Sequence, residues 1–315
     1  MHTTRTTNEQ MKERYLNLHT EGIVRDRADA AYELMSDCTL CPRRCHIDRT
    51  AGETGFCRTG NELIISSYSS HFGEEPPLVG RRGSGTIFFT NCNLGCIFCQ
   101  NHEISQGGRG FQVQAEELAR IMLQLQKCRC HNINLVSPSH QVPGILRAID
   151  IAAERGLHIP IVYNTGGYDA VRTLRLLDGI IDIYMPDAKY GSNEIAHALS
   201  GAADYVDRMK EALSEMHRQV GDLVTQDGIA ERGMIIRHLV LPGGLSGTEE
   251  VMQFIAEELS LSSYVNIMPQ YRPAGKVRER SYGFDTLGRM ITQEEFDEAI
   301  EIARRYGLNR GFSKR

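Results

Sequence analysis

Seven of the nine cysteines in this chain fall into two groups, and their spacing suits metal chemistry better than packing. The first group lies in Asn91-Cys92-Asn93-Leu94-Gly95-Cys96-Ile97-Phe98-Cys99. Three thiolates spaced C-x3-C-x2-C on one loop can converge on a soft metal centre. A structural zinc site wants four ligands, as does an iron–sulfur cluster held wholly by protein. This loop carries three. His102 and the more distant Cys57 are nearby fourth candidates, and the spacing requires neither. A four-iron cluster on three cysteines leaves one iron with an open position, where a cofactor or substrate can bind and receive an electron. The blander alternatives are a zinc loop with a borrowed ligand, or three core cysteines.

The second group, Cys38-x2-Cys41-x3-Cys45-x11-Cys57, offers four thiolates in a stretch with little apolar material. A metal would order such a segment, because ligand binding energy is then folding energy. Pro42, Gly52 and Gly55 favour the tight turns of a metal knuckle. Zinc would make it a structural lid and a second iron–sulfur cluster an electron relay; the ligands suit both. Cys128 and Cys130 read as packing residues ahead of a strand.

In a reducing compartment, where thiols stay free, clustered cysteines are more often metal ligands than bridges. Residues 1–12 are polar, with no apolar run behind a basic start, so neither a secretory signal nor a membrane span is expected and the protein should be cytoplasmic. With 315 residues, 41% of them hydrophobic, the chain can form one large domain with a small satellite. Its net charge of −5 argues against general nucleic-acid binding. The basic residues Arg278, Arg280, Arg304, Arg305, Arg310, Lys314 and Arg315 read as a solvated surface and tail.

The elements that must position these groups follow from periodicity. Residues 8–35 read as helical, with Met11, Tyr15 and Leu18 on one stripe and a break near Gly22. From Cys38 to Gly85 almost no period is visible, and a loop that long is functional or held by something other than packing. After Thr86, short apolar runs alternate with helical stripes. The runs are Thr86–Phe89, Ile133–Val136, Ile159–Val162, Ile180–Tyr184, Ile235–Val240 and Val265–Met268. The stripes include Leu118/Ile121/Met122/Leu125, Tyr205/Met209/Leu213/Met216/Val220 and Val251/Phe254/Ile255/Leu259. Thr292-x-x-Glu295 reads as a capping box for a last helix, and Ser246-x-x-Glu249 as a similar start. The expected division is a helical extension (1–37), a cysteine-rich metal-binding segment (38–85), a core (86–275) and a C-terminal helix with a basic tail (276–315). Strands alternating with helices imply an α/β fold with a parallel sheet, either open and doubly wound or closing like a barrel. The unusual residues fall just past the C-terminal ends of the strands, which is the active rim in both architectures.

The three-cysteine loop, with Phe98 before its last cysteine, resembles the signature of the radical S-adenosylmethionine (SAM) enzymes. That resemblance implies an α/β partial (β/α)6 TIM-type barrel with a small cysteine-rich N-terminal metal-binding segment. It also implies a [4Fe-4S] cluster on Cys92, Cys96 and Cys99, with SAM on the open iron and Phe98 packed against its adenine. Asn164-Thr-Gly-Gly-Tyr168, Ile183-Tyr-Met-Pro-Asp187-Ala-Lys189, Arg237-His-Leu-Val-Leu-Pro-Gly243 and Ile267-Met-Pro-Gln-Tyr271 look like strand ends of pyruvate formate-lyase activating enzymes. Residues 36–275 are more similar still to the PflX-type branch of that group. The features are the leading cysteine pattern, Glu74-Glu75-Pro76, Val136-Ser-Pro-Ser-His140 and Met268-Pro-Gln-Tyr271. By this likeness Asp187 and Lys189 lie beside the cofactor or a substrate glycine, and Asn164 near the ribose or methionine. The activating enzymes carry Gly-Gly-Glu after the second strand for the methionine amino group. This chain has Ser137-Pro-Ser-His140 there, so Ser137, Ser139 or His140 does that work, or Glu74 and Glu75 supply it. Tyr271 stands where those enzymes have a histidine.

The expected function is reductive cleavage of SAM to a 5′-deoxyadenosyl radical that abstracts hydrogen, with a glycyl radical enzyme as the target. Radical modification of a small molecule or another protein is the alternative. A zinc-stabilised binding module explains Cys38 to Cys57 but not the three-ligand loop. A low-potential flavodoxin or ferredoxin is the implied electron donor, and no membrane partner is expected.

Overall fold

The computed structural model describes residues 14–279 and 284–312. Helices α1 (Arg14–Thr20) and α2 (Ile23–Glu33) are split at Gly22, whose φ of +78° gives the expected break. Tyr15 is buried and its hydroxyl donates to Ile159 O at 3.2 Å, while Met11 lies outside the described residues. After the cysteine-rich segment come β1 (Leu63–His71), α3 (Pro76–Val79) and β2 (Ser84–Phe89). Next follow α4 (His102–Ser105), β3 (Phe111–Val113), α5 (Ala115–Lys127) and β4 (Ile133–Val136). The middle of the chain forms α6 (Val142–Glu154), β5 (Ile161–Thr165), α7 (Val171–Leu176) and β6 (Ile183–Pro186). Then come α8 (Asn193–Ser200), α9 (Tyr205–Val220), β7 (Val224–Gln226) and β8 (Ile229–Leu239). The last elements are α10 (Thr248–Phe254), β9 (Tyr264–Met268) and α11 (Gln293–Arg305).

The strands β2, β4, β5, β6, β8 and β9 are neighbours in that order, and every pair is parallel. Among the described residues β9 does not pair with β2, so the ring stays open as a partial (β/α)6 barrel. Alternate residues of these strands enter different clusters, as a strand covered on both faces requires. Ile161, Tyr163, Tyr184 and Ile236 pack with the helices. Val162, Ile183, Met185 and Ile235 form an inner cluster closed by Leu78 of α3. The stripes Leu118/Ile121/Met122/Leu125 and Met209/Leu213/Met216 are buried on α5 and α9 as expected.

Two readings are corrected. The stretch from Cys38 to Gly85 is not structureless, because β1 pairs antiparallel with β2 and β3 with β1. The apolar residues of β1 are Leu63, Ile64, Ile65 and Tyr68, and its serine-rich remainder is held by pairing, so only a three-residue apolar run shows in the sequence. Ser246 does not cap α10; Gly247, with φ of +61°, takes that place, and Ser246 is buried with its hydroxyl accepting from Leu241 N. The Thr292–Glu295 capping box forms as expected on α11.

Candidate metal centre

The three-cysteine loop leaves the C-terminal end of β2 through Asn91, whose φ of +70° turns the chain. Asn91 is held there by its Nδ2 donating to Thr59 Oγ1 at 3.0 Å. Arg43 Nε donates to Asn93 O at 2.9 Å, and Asn93 Nδ2 donates to Tyr168 O at 2.6 Å. On the other side the loop binds the end of α8, with Gly95 N donating to Ser200 O (3.2 Å) and Ile97 N to Leu199 O (2.9 Å). The loop is therefore held by its main chain and by the Asn91 and Asn93 side chains as well as by contacts to its sulfurs.

Cys96 is buried, and Cys92 and Cys99 are half-buried. Each sulfur has polar neighbours: Leu94 N donates to Cys92 Sγ (3.4 Å), which also lies 3.8 Å from Asn93 Oδ1. Ser200 Oγ donates to Cys96 Sγ (2.9 Å), with the Tyr190 hydroxyl also in hydrogen-bond reach, and Ser105 Oγ lies 3.2 Å from Cys99 Sγ, which the Asn101 main chain also approaches. Burial pushes the Cys92 thiol up to about 12 and raises Cys99, while the Lys189 cation pulls both the other way. A metal that binds thiolate reverses this cost of burial. A cleft of about 380 Å³ opens on the loop between Phe56, Arg58, Cys92, Ser200 and Lys276. A groove of about 630 Å³ on α11 is lined by Glu298, Glu301, Ile302, Arg304 and Arg305 and holds none of these groups.

A charged layer lies at the strand ends. Arg237 Nε donates to Asp187 Oδ1 and its Nη2 to Asn164 Oδ1, both at 2.7 Å. Glu74 and Glu75 each approach the same guanidinium at 3.9 Å, and Lys189 pairs with Asp187. Burial opposes the charge on Asp187, but Arg237 and Lys189 outweigh it and hold the carboxyl below its ordinary range. For Glu74 burial wins over Arg237 and lifts the carboxyl to about 7. Burial would lower Lys189, yet Asp187 and the Cys96 sulfur keep it charged.

Of the residues named from the sequence, Asn164, Asp187 and Lys189 thus come together in one network. Phe98 is buried, edge-on to Tyr190 (6.4 Å) and Tyr271 (6.0 Å). Ser137 sits half-buried at the end of β4 with φ of +57°, and its N–H donates to Asn164 O at 2.8 Å. Backbone strain of this kind in a non-glycine residue gathers at functional sites. Ser139 is buried with its hydroxyl 3.1 Å from Thr165 Oγ1. His140 is also buried, its Nε2 donating to Thr90 O at 2.8 Å, and burial lowers it to about 4, which favours the neutral imidazole.

In the N-terminal group Cys38, Cys41 and Cys57 are buried and Cys45 is half-buried. Burial pushes Cys41 up to about 12, and the other three thiols add to that rise. Arg44, His46 and Arg58, next to Cys45 and Cys57, all have positive φ. A side chain at Gly55 would meet Cys45 Sγ at 2.6 Å, so that glycine is needed for the cysteine to pack there. Among the described residues no three His, Cys, Asp or Glu side chains are gathered closely enough to hold one ion. The fit of both groups to a metal therefore rests on donor type and on the thiols of each group sharing one segment.

Several residues that shape the site were not singled out from the sequence. Arg237 had a signal, a lone charge within Ile235-Ile-Arg-His-Leu-Val240. Arg43 stood inside the leading cysteine pattern with no role of its own, and Tyr190 and Ser200 had no signal. Cys130 packs as expected, with Ser70 Oγ 3.1 Å away, but Cys128 is exposed. In the basic tail Arg305 pairs with Glu249, and Arg310 donates to Ser262 O and Leu223 O. Arg280, Lys314 and Arg315 lie outside the described residues, as does the side chain of Arg278. No helix among the described residues is long and apolar enough to cross a membrane.

Residues 86–230 match the family described as the radical SAM superfamily. The uncharacterized protein MJ0674 of Methanocaldococcus jannaschii is 33% identical over 291 residues, covering 90% of this chain and 79% of that protein. A crystal structure of HydG, a maturase of the [FeFe]-hydrogenase, aligns with a TM-score of 0.48 at 13% identity, over 70% of this chain and 48% of that one.

Proposed function

The chain belongs to the radical SAM superfamily, and from that premise we propose that Cys92, Cys96 and Cys99 hold its four-iron cluster for hydrogen abstraction from a substrate. The observation that carries this is three thiols on one loop at the C-terminal end of the first parallel strand, within electrostatic reach of the Lys189 cation. When bound, the cluster supplies the electron that splits SAM into methionine and a 5′-deoxyadenosyl radical. The chain's own groups do the rest. Lys189 and Arg237 fix Asp187 and Asn164 at the rim, and the α8 main chain holds the loop still. Phe98 and its tyrosine neighbours keep water from the base of the loop.

The target we favour is a backbone glycine in a partner enzyme, by the likeness of the strand ends to the activating enzymes. The barrel is open between β9 and β2, which leaves a side for a protein loop to enter. The donor would be a low-potential flavodoxin or ferredoxin, and the Cys38–Cys57 thiolates a second centre of zinc or iron and sulfur. Anaerobic, reduced protein should convert SAM to 5′-deoxyadenosine; equal turnover by Cys96→Ala would sink the cluster assignment. A glycyl radical on the partner, seen by paramagnetic resonance, separates a protein target from a small molecule. The iron-to-zinc ratio of Cys41→Ser against wild type identifies the N-terminal metal.

A further inference from the structure

Ser200, the last residue of α8, is 1% exposed, and its main chain is pinned by Gly95 N (3.2 Å) and Arg43 Nη2 (3.1 Å) donating to its carbonyl. Its Oγ lies 2.9 Å from Cys96 Sγ and 2.6 Å from Tyr190 Oη. A thiolate bound to metal has no proton, so it can only accept. Ser200 then donates its proton to Cys96 as its 2.9 Å contact allows, its oxygen accepting from Tyr190, whose hydroxyl also reaches the Cys96 sulfur. Tyr190 is itself fully buried, with its ring edge-on to Phe98 (6.4 Å) and Tyr205 (5.3 Å), so its hydroxyl cannot turn away.

We propose that Ser200 and Tyr190 set the reduction potential of the centre on Cys96, as positioning residues and not catalytic ones. The proposal rests on the cluster assignment above. A hydrogen bond donated to a cluster sulfur stabilises the more negative, reduced state over the oxidised one. The effect is largest where the bond is buried and itself polarised by a second donor. Cys99 offers the contrast: its partner Ser105 is half-buried at the cleft, where water can take over the lost bond.

The test is an anaerobic redox titration of the full, reconstituted chain, followed by the paramagnetic signal of the reduced cluster, with iron content measured in parallel. Ser200→Ala should shift the midpoint to a more negative value by about a tenfold change in the reduced-to-oxidised ratio, about 59 mV for one electron. Tyr190→Phe keeps the serine hydroxyl and should shift it less, in the same direction. Ser200→Thr should restore the wild-type value, and Ser105→Ala should move it by less than half as much as Ser200→Ala. Should Ser200→Ala lose its iron, Tyr190→Phe alone decides. A wild-type midpoint in Ser200→Ala, or in Tyr190→Phe in that case, overturns the proposal, as does an equal shift in Ser105→Ala. Failure of the underlying assignment shows differently, as an undiminished signal in Cys96→Ala.

Discussion

Replacing Glu74 by glutamine keeps the shape of the side chain and removes a charge that the barrel interior opposes. Burial lifts this carboxyl from its ordinary 4.5 to about 7, even with Arg237 3.9 Å away. Between those two values the folded chain keeps a proton that the unfolded chain has released. The stability this group contributes is therefore whole below pH 4.5 and is lost as pH rises to 7. At about 1.4 kcal/mol per pH unit, that span comes to about 3 kcal/mol. Glutamine resembles the protonated acid and never ionises. Near pH 5, just above the unfolded value, the variant should be more stable by only about 1 kcal/mol, and at pH 8.5 by about 3 kcal/mol. Asp182, which burial also raises to about 7, titrates in both proteins and cancels in the difference. Anaerobic urea unfolding at pH 5, 6.5 and 8.5, with equal slopes in both proteins, measures it. A difference that does not change with pH refutes the reasoning. So does a glutamine variant less stable at pH 8.5, because the pair with Arg237 would then outweigh burial.

Other expectations follow from the same network and loop. Arg237→Met leaves Asp187, Glu74 and Glu75 without their shared cation and should cost about 3–5 kcal/mol, read as a lowered urea midpoint. Gly167 has a φ of +77°, and an added Cβ would lie 2.2 Å from Asp187 O. Gly167→Ala should therefore lose about 1–3 kcal/mol and slow 5′-deoxyadenosine release, since relief comes only by moving Asp187. Arg43→Ala removes donors from Asn93 O, Ser200 O and Gly201 O and uncovers Phe56, over whose ring the guanidinium lies at 3.6 Å. Its iron should pass to a ferrous chelator several-fold faster than that of wild type, with the total iron loaded unchanged.

How much was legible in the sequence depended on where each residue's partners lie. The six parallel strands could be read because buried parallel strands are nearly continuous apolar runs, such as Ile133–Val136. β1 could not, since its serines carry no period and only pairing with β2 makes them a strand. The three cysteines could be singled out because all three share one loop. Arg237 meets Asp187 across 50 positions and Ser200 meets Cys96 across 104, and no local pattern encodes such a meeting. Gly247 displaced Ser246 at the start of α10 because the left-handed turn there needs no side-chain cap.

The way α8 supports the cysteine loop also bears on the order of assembly. The thiols of Cys92, Cys96 and Cys99 are synthesised about a hundred residues before Leu199 and Ser200, which hold the loop's main chain, and Arg43 cannot seat itself until those carbonyls exist. Contacts of such long sequence separation form late. The loop should therefore stay unclamped through the early stages of folding, until α8 docks against it. In pulsed hydrogen exchange during refolding, the amides of Gly95 and Ile97 should gain protection together with α8 and not with β2, and protection alongside β2 would reverse that order.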